Sequence, residues 1–229
     1  MVLAPPDGGR ESVGGRNGNV KGMDITIIGT GNMARGIGAR ALAGGHNLTV
    51  VGKDEERAEE AASALEGPVR TAVTGDPLDA DLVVLAVYYP DARGAVEQYA
   101  DQLSGKAVVD ITNPVNETFD GLAVPADGSA TQELAALAPE ARFVKAFNTT
   151  FARTLGSGEV SGQPLDVLIA GDDEAAKDAV ASLARDGGLN PIDTGGQHRA
   201  RELEALGLLH MTLQDRLGTG FASAVKFLA

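Results

Sequence analysis

The residues with the clearest chemical purpose are Gly29-Thr30-Gly31-Asn32-Met33-Ala34, a G-x-G-x-x-A run. Gly29 permits a tight turn, Gly31 lets a pyrophosphate approach the backbone, and Ala34 allows a following helix to pack closely. A helix opening there offers unpaired N–H groups and a partial positive charge to phosphate oxygens. A glycine run alone is weak evidence. Here Asp24 to Ile28 before it reads as a buried strand, and Met33, Ile37 and Leu42 after it share one helical face. Strand, glycine turn and helix together point to a dinucleotide-binding turn, with Thr30, Asn32 and Met33 completing it.

The second group concerns cofactor choice. In such units an acidic residue at the tip of the second strand holds the adenosine ribose and selects NAD. Here that tip reads Val50-Val51-Gly52-Lys53, without an acid, and Arg57 follows one helical turn later. Lys53 and Arg57 are suited to a 2′-phosphate, which favours NADP over NAD. The competing readings are that both are solvated charges on a helix start, and that Asp54 meets a ribose hydroxyl instead of capping the helix.

A third group lies at expected strand ends, where open α/β sheets bind ligands. Val87 and Tyr88 end the fourth strand, Asn113 the fifth, and Asn148 and Thr150 the sixth. Singly, each is as readily a packing or turn residue. Converging on one rim, they form a candidate nicotinamide site.

The elements that must position these groups alternate strand and helix. Strands are expected at Asp24–Ile28, Asn47–Val51, Val69–Val73, Asp81–Val87, Lys106–Thr112, Arg142–Phe147, Leu165–Ala170 and Asn190–Asp193. Helices are expected around Met33–Leu42, Asp54–Leu65, Asp91–Leu103, Thr131–Leu137, Asp173–Arg185 and Arg199–Leu217, with Val115–Ala130 irregular. In the last helix Leu203, Leu206, Leu209, His210 and Leu213 are expected on one face. The pattern implies an α/β protein of Rossmann type, doubly wound and mainly parallel. A small C-terminal α/β extension ends in a long helix. Residues 1–22, rich in Gly and Pro, read as a tail. Residues 23–152 read as the dinucleotide-binding domain and 153–229 as a small domain completing a second-substrate site.

Composition narrows the function classes. A net charge of −13 without a basic stripe argues against nucleic acid and anionic membrane surfaces. With no cysteine, thiol chemistry and thiolate metal sites are excluded, and His46, His198 and His210 form no close ligand pair. No apolar run approaches the length of a membrane span, and a cytoplasmic protein is expected. Neither a G-x-S-x-G elbow nor a P-loop pattern occurs.

Several longer stretches carry a resemblance. GTGNMARGIGARALAGGH, VGKDEERAEE, FVKAFNT, ARELEALGLLHMTLQ and GFASAVKFL resemble the F420H2:NADP oxidoreductases over about residues 23–229. The resemblance implies NADP and the deazaflavin F420 bound face to face. Hydride would pass between nicotinamide C4 and deazaflavin C5 without an obligatory side-chain acid or base. Catalysis would then consist of positioning and water exclusion. It assigns Thr30, Gly31, Asn32 and Met33 to the phosphates, and Gly52, Lys53 and Arg57 to the 2′-phosphate. Where the family usually has a hydroxyl residue this chain has Gly52, so Gly52→Ser is expected to tighten NADPH. Tyr88, Asn148 and Thr150 fall on the nicotinamide–deazaflavin gap, where the archaeal pattern has Pro, His and Ile. Lys145 to Asn148 is also similar to the cytosolic domain of six-transmembrane ferric reductases.

The expected protein is thus a homodimeric NADP-dependent oxidoreductase exchanging hydride with F420. Two alternatives stay open. One is a reductase of a flavin or a small imine or carbonyl, with Tyr88 as the available acid. The other is a non-catalytic dinucleotide-binding regulatory module.

Overall fold

The computed structural model describes residues 22–228, so the expected tail, apart from Gly22, lies outside the described residues. The chain runs β1 (Asp24–Ile28), α1 (Asn32–Ala43), β2 (Asn47–Gly52), α2 (Glu55–Ser63), β3 (Val69–Val73), β4 (Leu82–Leu85) and α3 (Tyr89–Leu103). It continues through β5 (Ala107–Asp110), α4 (Ala130–Leu137), β6 (Arg142–Lys145), α5 (Ala152–Leu155) and the hairpin β7 (Glu159–Val160) and β8 (Gln163–Pro164). It closes with β9 (Asp166–Gly171), α6 (Glu174–Asp186), β10 (Asn190–Gly195), α7 (Ala200–Thr212) and α8 (Gln214–Leu217).

Eight strands form one sheet in the order β10-β9-β6-β5-β4-β1-β2-β3. From β3 to β6 every pairing is parallel; β9 joins β6 antiparallel and carries β10 beside it in parallel. The segment beyond residue 152 therefore extends the same sheet. Strand order reverses between β1 and β4, which opens the crevice used by ligands in doubly wound folds.

Alternation along the strands divides the core. Ile25, Ile27, Val84 and Val144 face α1 and α6, meeting Ile37, Ala41, Val180 and Leu183. Ile28, Val83, Leu85, Val108 and Phe143 face α3 and α4, meeting Val96, Tyr99, Leu103 and Leu134. Both faces are covered, which is why Leu82–Leu85 is an unbroken buried run. Each large aliphatic side chain so buried contributes about 1.5–3 kcal/mol relative to exposure.

Differences from the expected elements have local causes. Strand β4 stops at Leu85, and α3 begins at Tyr89 because Pro90 suits the first turn of a helix. The expected long terminal helix breaks at Leu213 into α7 and α8. Its buried stripe is Leu203, Glu204, Gly207, His210 and Gln214, whereas Leu209 is 54% exposed. Polar groups satisfied by neighbouring backbone replace the leucine face that periodicity suggests. The short α5 and the β7–β8 hairpin have too few residues to show a period.

Candidate active site

The glycine turn has the geometry a dinucleotide requires. Gly29 leaves β1 with φ +130°, and its N–H donates to Val51 O at 3.0 Å. A Cβ there would lie 2.3 Å from Ala86 O, so only glycine lets β1 and β4 exit side by side. Gly31 is the N-cap of α1, with an ordinary φ of −76° and no side-chain capping bond. A Cβ on Gly31 would meet no heavy atom within 4 Å. Thr30 and Met33 are partly exposed and Asn32 exposed, while Ala34 is buried against the core.

The contrast with other helices is informative. Asp54, Ser129 and Asp173 cap α2, α4 and α6 through their side chains. Helix α1 has neither a side-chain cap nor an acidic residue in its first turn. Its first N–H groups therefore have no side-chain acceptor, an arrangement suited to an anion.

At the tip of β2, Asp54 accepts from Arg57 N at 2.9 Å, so its carboxylate serves the helix N-terminus. Lys53 and Arg57 are both more than half exposed. Lys53 Nζ lies 3.9 Å from Asp91 Oδ1 and Arg57 Nε 3.6 Å from Asp54 Oδ2. Gly52 is buried, and a Cβ on it would lie 2.7 Å from Asp54 O and 2.8 Å from Ala58 N. The absent hydroxyl thus has a packing cause: α2 starts against the strand tip. The expectation that Gly52→Ser tightens NADPH does not survive this contact, because the side chain would displace α2.

Across the crevice, Val87 is partly buried and Tyr88 is 85% exposed at the N-cap of α3. The Tyr88 side chain makes no hydrogen bond or ring contact among the described residues, while its carbonyl accepts from Ala92 N–H at 2.8 Å. Asn113 and Asn148 come together. Asn113 Nδ2 donates to Asn148 O at 2.8 Å, and Asn148 Nδ2 donates to Asn113 Oδ1 at 2.9 Å and Leu203 O at 2.8 Å. These amides bracket β5, β6 and α7; only Asn148 Oδ1, buried, has no partner among the described residues. Thr150 is 7% exposed and its hydroxyl donates to Phe147 O at 2.7 Å. That bond closes the turn in which buried Phe147 takes a left-handed φ of 60°. Thr150 therefore shapes the floor of the rim.

Sequence reasoning missed two groups beneath this rim. Lys145 Nζ, fully buried, lies 2.6 Å from Asp110 Oδ2, 2.9 Å from Glu204 Oε1 and 2.7 Å from Thr112 O. Thr131 Oγ1 donates to Asp110 Oδ2 at 2.8 Å, and the Ala130 N–H at the start of α4 donates to Glu204 Oε2 at 3.2 Å. Burial raises the Glu204 carboxyl above its usual value, against the opposing pull of Lys145. The available signal was a lysine ending the apolar run Phe143-Val144-Lys145.

The second is His210. Its Nδ1–H donates to Thr149 O at 3.2 Å, which leaves Nε2 to accept from Ser223 Oγ at 2.8 Å. Burial holds this imidazole below its usual value, while the Thr149 carbonyl acts in the other direction. Its ring stacks on Phe151 with centroids 4.2 Å apart.

Fold and turn define the class of dinucleotide-binding α/β proteins, in which ligands bind at the switch point that β1 and β4 form here. Residues 24–114 match the family model described as "NADP oxidoreductase coenzyme F420-dependent". The F420-dependent NADP reductase of Methanocaldococcus jannaschii is 30% identical over 202 residues, covering 80% of this chain and 89% of the archaeal one. Metalloreductase STEAP3 of Rattus norvegicus is also 30% identical, over 80% of this chain, but the chain spans only 36% of that relative's length. A crystal structure of a candidate F420-dependent NADP-reductase from Arthrobacter sp. FB24 superposes with a TM-score of 0.77. That pair is 29% identical, covering 91% of this chain and 100% of the other. The chain belongs to the F420-dependent NADP oxidoreductase family.

Proposed function

We propose that this protein transfers hydride between NADP(H) and the deazaflavin F420. The observation that carries the reading is the first turn of α1, uncapped and free of acidic side chains, beside the open face of Gly31. Those N–H groups hold the pyrophosphate, and the macrodipole of α1 favours its charge. Exposed Lys53 and Arg57 hold the 2′-phosphate. The nicotinamide, which supplies the transferable hydride at C4 when bound, lies on the rim formed by Val87, Tyr88, Asn113, Asn148 and Thr150.

Among the rim side chains the exposed Tyr88 phenol is the one free acid, and hydride transfer between the two rings does not call on it; the Asn148 amide N–H groups and the Thr150 hydroxyl are used within the chain. Rate enhancement comes from orienting two rings and excluding water. Residues 153–229 complete the second-substrate site, a reading supported by α7 packing on the Asn113–Asn148 pair. The M. jannaschii relative, named for both cofactors, supports the choice of partners.

Among the described residues no helix is long and apolar enough to cross a membrane. The protein works in the cytoplasm as a homodimer in this reading, and exposed Leu209, Leu217, Phe227 and Leu228 supply apolar surface for the second copy. Stopped-flow oxidation of NADPH with F420, FMN and FAD side by side tests the function. Fast, stoichiometric reduction of F420 is expected. Reoxidation by FMN or FAD with F420 inert would replace the partner, and tight NADPH binding with no acceptor would make the protein a binding module.

A further inference from the structure

After α8 the chain makes a turn whose construction exceeds what a turn requires. Gly218, Gly220 and Phe221 all take left-handed backbone angles, with φ of 64°, 54° and 62°. Glycine occupies that region freely, whereas a bulky L-residue pays a steric cost. At the third position the chain holds phenylalanine, with 47% of its surface uncovered. An outlier of this kind, held by its surroundings, is a pointer to function.

The surroundings do hold it. Ala222 N–H donates to Thr219 O at 3.1 Å, and Arg153 Nη1 donates to Gly220 O at 3.0 Å. Thr219 Oγ1 donates to Gln214 Oε1 at 2.6 Å, while Ser223 is bound to His210 and to Gln214. The Phe221 ring meets Phe151 at right angles, with centroids 5.1 Å apart, and Phe151 lies on His210. Phe151 directly follows Thr149 and Thr150, the residues that leave β6 at the candidate nicotinamide rim. Arg153, which anchors the turn, lines a cleft of about 400 Å³ that also reaches Asn32 of the phosphate turn. The uncovered ring thus packs beside Phe151, one residue past Thr150 of that rim.

We propose that Phe221 is one wall of the second-substrate site and stacks on the planar tricyclic ring of the redox partner. The inference rests on the hydride-transfer reading above and adds a residue to it. A rigid aromatic preset by the fold loses little freedom on meeting a ring, and stacking tolerates variation in the ring's polar edge. The shared chemistry is a flat isoalloxazine-like surface, so F420 and FMN are both probes.

The test measures equilibrium binding of F420 and of FMN by fluorescence titration, together with turnover and NADPH affinity. It compares wild type, Phe221→Gly and Phe221→Tyr. Glycine accepts the left-handed angle, so the turn is kept while the ring is lost. Phe221→Gly is expected to weaken ring binding about tenfold, the range of one lost stacking contact. It should leave the NADPH Kd unchanged, and Phe221→Tyr should restore ring binding. Unchanged F420 and FMN affinity in Phe221→Gly overturns the proposal, as does an equal loss for NADPH. Wild type that binds neither ring overturns it too. Phe221-dependent ring binding without turnover would sustain the wall and remove the hydride-transfer reading, so the two fail separately.

Discussion

Asp110 and Lys145 are register partners at the last positions of β5 and β6, and their side chains meet at 2.6 Å in a fully buried site. Glu204 of α7 completes the group at 2.9 Å from Lys145 Nζ. One cation thus ties two strand ends and a distant helix beneath the rim. Its worth lies in what its removal would leave: two carboxylates without a counter-charge. Lys145→Ala is expected to lose about 3–5 kcal/mol of unfolding free energy, and Glu204→Gln less, since an amide oxygen can still accept from α4. Urea denaturation checks both. A Lys145→Ala loss below about 1 kcal/mol would mean the three groups do not hold one another.

Gly31→Val should separate folding from binding. The backbone at Gly31 is ordinary for any residue, and the new side chain would enter open space. The melting temperature should therefore stay near that of wild type while NADPH binding disappears. Calorimetric titration showing wild-type affinity would reduce the turn to a connection.

Neutralising Lys53 and Arg57 together should discriminate the cofactors. Charge-assisted hydrogen bonds contribute ~1.5–3 kcal/mol when shielded, and less at side chains as exposed as these. A loss of about one to two orders of magnitude in NADPH affinity is expected, with NADH little changed. Equal losses for both would assign the charges to general attraction.

Gly52→Ser should destabilise the strand tip. With Asp54 O at 2.7 Å from the added Cβ, overpacking costs about 1–3 kcal/mol and shifts the start of α2. Lower melting temperature and weaker NADPH binding are expected together. Tighter binding at unchanged stability would show that the α2 start moves freely.

The pH dependence follows from two buried imidazoles. Burial holds both His46 and His210 below the usual value, with Asp186 opposing at His46 and the Thr149 carbonyl at His210. Unfolded, they take up protons near pH ~6.5, whereas folded they stay neutral to lower pH. Their contribution is complete above that value and is lost as pH falls through the window below it. Glu204, held above the usual carboxylate value, acts with the opposite sign. Unfolding free energies at pH 7.5 and 5.5 should therefore differ less in the His46→Gln, His210→Gln double variant than in wild type. An unchanged difference would assign the pH dependence to other groups.

How much of this was legible follows from what is local. The period-two and period-3.6 patterns, the glycine turn and the Asp54 cap depend on neighbours a few residues apart, so composition and spacing reveal them. By its sequence alone the chain determined a doubly wound α/β fold, a glycine turn at Gly29–Ala34 joining the first strand to the first helix, and two cations at the tip of β2. What depends on strand register and on packing of remote segments was decided only in three dimensions. Asp110 meets Lys145 because β5 and β6 pair in parallel at those positions, and Glu204 joins them across nearly sixty residues of chain. Gly52 reads as a missing hydroxyl in sequence and as the contact surface of α2 in space. Asn113 and Asn148 read in sequence as separate residues at strand ends, yet their N–H groups bind each other's oxygens and α7, since buried amides take the nearest partners. The antiparallel entry of β9, the break at Leu213 and the left-handed seat of Phe221 likewise arise from long-range contacts that no local pattern encodes.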